Sequence, residues 1–213
     1  MGRAEAAAAG RPVRVLAVGK TRPAADLRAL AALGQRAFGE NYVQEALAKQ
    51  AELATAGLEW HLIGPLQSNK CRDVAHHFDW LQTLDRTKLV PLLSRARPAA
   101  AAPLEVLVQV NIDDEASKSG CAPAHISELA DTVASAPGLR LRGLMAIPAP
   151  HAEPARRQAA FARMREAFDR LRETHTGVDT LSMGMSDDFE LALHEGATMV
   201  RVGSVLFGAR LPH

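Results

Sequence analysis

The residues with chemical potential sit at the ends of apolar runs. Lys20 follows the run VRVLAV (13–18), with only Gly19 between them. A lysine there can snorkel its ammonium to solvent, because burying it unpaired costs free energy. It can equally present an amine to a ligand. Arg201 lies within the last apolar run, TMVRVG (198–203), and Ser204 follows Gly203. Ser186 lies in SMGMSDD (182–188), a loop rich in Gly, Ser and Met. Loops such as 182–188 and 202–208 can lay backbone N–H groups against a phosphate. The pattern is an amine, a guanidinium and two candidate phosphate loops.

Each residue also has a plain structural reading. Arg201 could point outward and pair with a carboxylate on a helix. Gly203 and Ser204 could be ordinary turn residues. Ser186 stands where a helix could start, with Asp187 and Glu190 spaced as in a capping box. Asn41, after Glu40 in FGENYVQE, is a natural helix cap. His61 in WHLIGPLQSNK is a lone histidine among apolar neighbours, which suits a satisfied core residue. The run NIDDEASKSG (111–120) reads as a solvated loop. No His, Cys or carboxylate set has metal-ligand spacing, so no metal is expected. No nucleophile elbow and no carboxylate pair for glycoside hydrolysis are evident.

These positions depend on the elements that carry them. Short apolar runs alternate with longer helical patterns along the whole chain. VRVLAV precedes a helix over 23–35, with Leu27, Leu30 and Leu33 on one face. RAFGE precedes a helix over 42–56. LEWHLIG, DWLQTL and LEVLVQVNI precede helices over 68–77, 86–96 and 125–136. LRLRGLMAI, VDTLSMG and TMVRVG precede helices over 154–175 and 187–194 and a short C-terminal turn. Eight strand-then-helix units imply a parallel sheet. In about 200 residues they fit an α/β fold, a single closed (β/α)8 TIM barrel. An open doubly wound sheet is the alternative, but no GxGxxG follows any strand. In the barrel, functional groups gather at the C-terminal strand ends, and strand 1 adjoins strand 8. Lys20 then stands beside the loops after strands 7 and 8.

The bulk numbers narrow the function. The chain has 213 residues, 47% hydrophobic and 23% charged, with a net charge of +1. That balance suits one globular domain over 13–213 behind a short, flexible N-terminal lead over 1–12. It gives no electrostatic case for nucleic acid or an anionic membrane. Two distant cysteines, Cys71 and Cys121, suggest neither a disulfide framework nor a zinc site. The lead lacks the long apolar core of a signal peptide, so the expected compartment is the cytoplasm.

AVGKTRP, FGENYVQE, WHLIGPLQSNK, NIDDEASKSG, RGLMAIP, LSMGMSDDFE and VRVGSVLFGAR, in that order, closely resemble the YggS/PROSC family of pyridoxal-phosphate homeostasis proteins. The resemblance runs from about Val13 to Arg210. It implies a fold-type III barrel like the N-terminal domain of alanine racemase, with pyridoxal 5′-phosphate as cofactor. By this resemblance Lys20 forms the aldimine, Ser186 with the Gly203 and Ser204 backbone holds the phosphate, and Arg201 faces the ring nitrogen. Asn41 lines the pocket near the ring, and His61 is carried over as pocket lining. Gly19 would let the backbone pass close to the ring. Two departures stand out. The helix that usually precedes strand 1 is shortened or absent, leaving one barrel end less covered. Gly19 and Arg22 also stand where the family often has Ser and Lys, and a guanidinium cannot form an imine.

The chemistry is consistent with this. A free lysine amine is mostly protonated at neutral pH, its pKa being roughly 10.4. Partial burial and a neighbouring cation favour the neutral form that attacks an aldehyde. An arginine at the ring nitrogen disfavours the pyridinium and weakens the electron sink. The resemblance therefore implies a cofactor store and carrier acting in vitamin B6 and amino/keto acid balance that serves pyridoxal-phosphate apoenzymes, and a one-domain barrel can stand alone as a monomer. A weak or narrow amino-acid racemase is the competing reading. It lacks the second domain that supplies a second base, and Tyr42 is the chain's one tyrosine. A phosphosugar isomerase on the same barrel would explain neither Lys20 nor Arg201.

Overall fold

Short β-branched and aliphatic runs, each too apolar for solvent, pair side by side and close on themselves. The computed structural model describes residues 4, 7, 8, 10–113, 119–149 and 153–208. Eight strands are formed: β1 (Arg14–Val18), β2 (Ala37–Glu40), β3 (Glu59–Leu62), β4 (Trp80–Leu84), β5 (Leu104–Gln109), β6 (Leu139–Met145), β7 (Thr180–Ser182) and β8 (Met199–Val202). All neighbours are parallel and the order is sequential, β1 to β8, in a closed barrel. The fold is therefore the (β/α)8 TIM barrel expected, and the open-sheet alternative is ruled out. Leu16 of β1 pairs in register with Arg201 of β8, which sets Lys20 beside the last strand's loop.

The helices are α1 (Ala24–Ala32), α2 (Val43–Glu52), α3 (Cys71–His77), α4 (Val90–Ala96), α5 (Ile126–Ala134), α6 (Pro154–Thr174), α7 (Phe189–His194) and α8 (Ser204–Phe207). Most are shorter than their sequence patterns. The segments at 68–70 and 87–89 are 3-10 turns that lead into α3 and α4, as such turns often do at helix ends.

Strand periodicity separates two apolar regions. Val106, Val108, Leu181, Val200 and Val202 pack outward into the helix layer. Their alternates Trp80, Leu107 and Met145 form a separate small cluster inside the barrel. The interior is also polar, because His61, Gln82, Ser182 and Arg201 are all buried. In the N-terminal lead, Ala4 and Ala8 are buried in the outer core, and Ala8 N–H bonds Ala4 O.

Gly64, just after β3, marks a close crossing of two chains. A Cβ there would stand 2.0 Å from the carbonyl oxygen of Asn41. Backbone cannot yield as a flexible side-chain tip does. Gly64→Ala is expected to destabilise the fold by about 1–3 kcal/mol, the scale of overpacking. Urea unfolding measures this, and an unchanged midpoint would show that the two segments separate freely.

Candidate functional site

The largest assembly of candidate residues lies where the barrel geometry places it, above the C-terminal strand ends. One cavity of about 250 Å³ is lined by Lys20, Arg22, Asn41, Ser186, Asp187, Arg201, Gly203 and Ser204, with Val18, Ile63, Ile147 and Met185 as its apolar wall. Six of the seven residues singled out from the sequence meet here. Three of the lining side chains are cations and Asp187 is the one carboxylate, a wall suited to an anionic ligand with a flat apolar body.

Each member is held by its element. Lys20 leaves the end of β1 half-buried, and Asn41 follows β2. Asn41 does not cap a helix, since α2 begins after Tyr42 and has no side-chain cap. The capping-box expectation for Ser186 also fails. Helix α7 starts only at Phe189, and Asp188 turns back to accept the Met185 N–H at 2.7 Å. That leaves the Ser186 hydroxyl to accept the Gly203 N–H across the two loops, at a loose 3.4 Å. A loose bond between two groups lining a cavity is one a phosphate oxygen could replace. Arg22 donates to Gly208 O at 2.5 Å and stacks on Phe207, with 5.5 Å from guanidinium to ring.

Arg201 points inward and is 4% exposed. Its Nη1 donates to Ser182 O at 3.0 Å and Ser182 Oγ at 2.7 Å, and its Nη2 to Ala146 O at 2.9 Å. These acceptors are neutral, and burial lowers the guanidinium to about 10. It is still a cation at neutral pH. A guanidinium has five donors, so the three bonds leave it able to donate to a ligand in the cavity.

His61 does not reach the cavity wall. It is fully buried deeper in the barrel, stacked on Trp80 at 5.1 Å. It is nevertheless joined to Arg201. Ser182 Oγ donates to Gln82 Oε1 at 2.7 Å, Gln82 Nε2 meets His61 Nδ1 at 2.9 Å, and His61 Nε2 meets Glu59 Oε1 at 2.5 Å. Burial lowers the His61 pKa against the pull of Glu59, which favours the neutral ring. Nδ1 then accepts from Gln82 while Nε2–H donates to Glu59. Burial alone would raise the Glu59 carboxyl, but the bonds from His61 and Arg14 hold it down at about 2. Every donor in the chain points the same way, from the Arg201 cation to the Glu59 anion. The chain leaves Arg201 with one orientation.

Sequence reasoning missed Gln82, Ser182 and a group made of the buried Glu40 and Lys49 with the partly buried Glu45. The first two sit at inward positions of β4 and β7, and the signal was a polar residue in a fully buried strand. Gly19 also meets a constraint the sequence does not show. A Cβ there would lie 2.5 Å from Glu40 Oε1, so its nearest constraint is that carboxylate.

No helix among the described residues is long and apolar enough to cross a membrane, and no group of three or more His, Cys, Asp or Glu among them could hold a metal ion. The chain is similar to the pyridoxal phosphate homeostasis protein of Pseudomonas aeruginosa, 58% identical over 98% of this chain and 90% of that protein. It is 53% identical to the Escherichia coli protein of the same description, over 93% of this chain and 86% of the other. Among solved structures, PipY of Synechococcus elongatus with pyridoxal phosphate bound superposes with a TM-score of 0.85 at 38% identity, covering 97% of this chain and 99% of that one. Alanine racemase from Corynebacterium glutamicum, 20% identical with a TM-score of 0.68, shares the fold over 99% of this chain and 59% of its own length. The family described as alanine racemase, N-terminal domain, matches residues 3–211, and the chain belongs to that family.

Proposed function

We propose that this protein binds pyridoxal 5′-phosphate in the cavity above the barrel and serves its homeostasis, with Lys20 as the point of covalent attachment. The observation that carries this is the convergence of Lys20, Arg201, Ser186, Gly203 and Ser204 on one cavity. The donor set fits the cofactor group by group. Gly203 N–H, Ser204 and the Ser186 hydroxyl receive a phosphate. The apolar wall of Val18, Ile63, Ile147 and Met185 takes a planar ring. Arg201 would donate to the ring nitrogen, and Asn41 would line the site near the ring. When bound, pyridoxal phosphate supplies an aldehyde for a lysine amine and a ring that withdraws electrons. The names and contents of the relatives support the same reading.

We place the protein in the cytoplasm as a monomer that supplies cofactor to apoenzymes. Cys71 and Cys121 are buried and unpaired, in keeping with a reducing compartment.

Titration of the protein with pyridoxal phosphate and with pyridoxal tests the assignment. Losing one hydroxyl from a multi-donor site costs about 1.5–3 kcal/mol when the acceptor is charged. Ser186→Ala is expected to weaken pyridoxal phosphate binding by roughly tenfold to a hundredfold. Pyridoxal, without the phosphate, should be indifferent to the change. Equal weakening of both ligands would make Ser186 a structural residue and remove the phosphate from these loops.

A further inference from the structure

Glu40, Glu45 and Lys49 take no part in the cavity wall, yet they converge on the backbone either side of Lys20. Lys49, on α2, is 5% exposed. Its ammonium donates to Gly19 O, Glu40 Oε1 and Glu45 Oε1, each at 2.7 Å. An ammonium has three donors, so Lys49 is saturated. The same Glu45 Oε1 accepts the Thr21 N–H at 2.7 Å. Gly19 O belongs to the peptide before Lys20, and Thr21 N belongs to the peptide after it. Peptide groups are planar, so these two planes define φ and ψ of Lys20 and hence where its side chain leaves the chain.

The backbone here needs such a hold. Thr21 has φ +62°, a left-handed conformation that is an outlier for a β-branched residue. Conformations of this kind persist where the surroundings over-determine them. Glu40 completes the group from below. It is fully buried, its Oε2 has no hydrogen-bond partner, and burial pushes its carboxyl up to about 7 against the pull of Lys49. A buried ion pair is weak grounds for stability. What distinguishes this one is that its free ends fall on the two peptides flanking Lys20.

We infer that Lys49 and Glu45 are positioning residues that lock the backbone at Lys20 and so aim its amine into the cavity. The inference rests on Lys20 being the attachment point. In the step it serves, Lys20 Nζ adds to the aldehyde carbon, a C=N bond forms, and the carbonyl oxygen leaves as water with the two amine protons.

The test compares Lys49→Met and Glu45→Ala with the unaltered protein. One readout is the rate at which visible absorbance develops after rapid mixing with pyridoxal phosphate. The other is the affinity for 4′-deoxypyridoxine 5′-phosphate, which has the phosphate and ring but no aldehyde. Misplacing a reacting group by about 1 Å can cost about a hundredfold, so the rate should fall tenfold or more in both variants. Affinity for the aldehyde-free ligand should stay unchanged. Parallel losses for both ligands would make the pair merely structural, and an unchanged rate would overturn the inference directly. Should Lys49→Met fail to fold, Glu45→Ala decides alone, because the Glu45 side chain is 27% exposed. Borohydride reduction of the unaltered protein keeps the two readings apart. An adduct elsewhere than Lys20 defeats the attachment assignment, whereas an adduct on Lys20 with unchanged variant rates defeats only the positioning role.

Discussion

Lys20→Ala is expected to abolish covalent capture of pyridoxal phosphate altogether. Borohydride reduces a C=N link to a stable amine, so the unaltered protein should carry one adduct, on the peptide containing Lys20. The variant should carry none and should lose its visible absorption band. The loops proposed to hold the phosphate are untouched, as is Arg201, so it should still bind the cofactor reversibly. The prediction is sharp because Lys20 is the one lysine on the cavity wall among the described residues. Lys49, the nearest in sequence beyond it, is buried with its three donors committed. An adduct that persists in Lys20→Ala, mapped to any other lysine, would remove Lys20 from the attachment role. Lys118 in NIDDEASKSG lies outside the described residues, and the mapping covers it.

The barrel, and the meeting of Lys20, Ser186 and Arg201 at one cavity above it, were legible in the sequence because both follow from local rules. Strand-then-helix alternation at this length leaves few closed solutions, and strand adjacency then brings Lys20 and Arg201 together. Ser186 lines the cavity, whereas its reading as part of a helix cap fails. A Ser-Asp-Asp-Phe-Glu run satisfies a capping pattern, yet α7 begins only at Phe189 with no side-chain cap, and Asp188 accepts the Met185 N–H instead. Lys49 was hidden for the opposite reason. Glu45 and Lys49 at i,i+4 look like an exposed ion pair on a helix surface. The signal against that was the stripe Val43, Ala46, Lys49 and Leu53, whose spacing puts the lysine on the buried face. His61 is the buried core residue its apolar neighbours suggest and not the pocket lining the resemblance implies, because strand membership does not tell depth along a barrel axis. Its partner Gln82 is twenty-one residues away and meets it only once β3 and β4 pair.

The loaded protein is expected to be an incompetent racemase. Racemisation needs a proton removed from one face of the bound amino acid and returned on the other. Lys20 can serve one face. No tyrosine or histidine lines the cavity among the described residues, and Tyr42 is 64% exposed at the start of α2 rather than in the wall. His61 is sealed in the barrel, bonded to Gln82 and Glu59. The ring is a second handicap. Arg201 stays a cation at neutral pH, fixed by Ser182 and Ala146, so a ring nitrogen held beside it as proposed would resist protonation and the ring would be a weaker electron sink. A missing acid–base group alone costs about a hundredfold to ten-thousandfold. Turnover should therefore fall far below the ordinary range of about 1–1000 per second. Incubation of the loaded protein with L-alanine in deuterated water, followed by α-deuteration and chiral analysis against free pyridoxal phosphate, measures it. Steady racemisation at ordinary enzyme rates would overturn the storage reading, and its loss in Asp187→Asn would then name the one carboxylate on the described cavity wall as the second base.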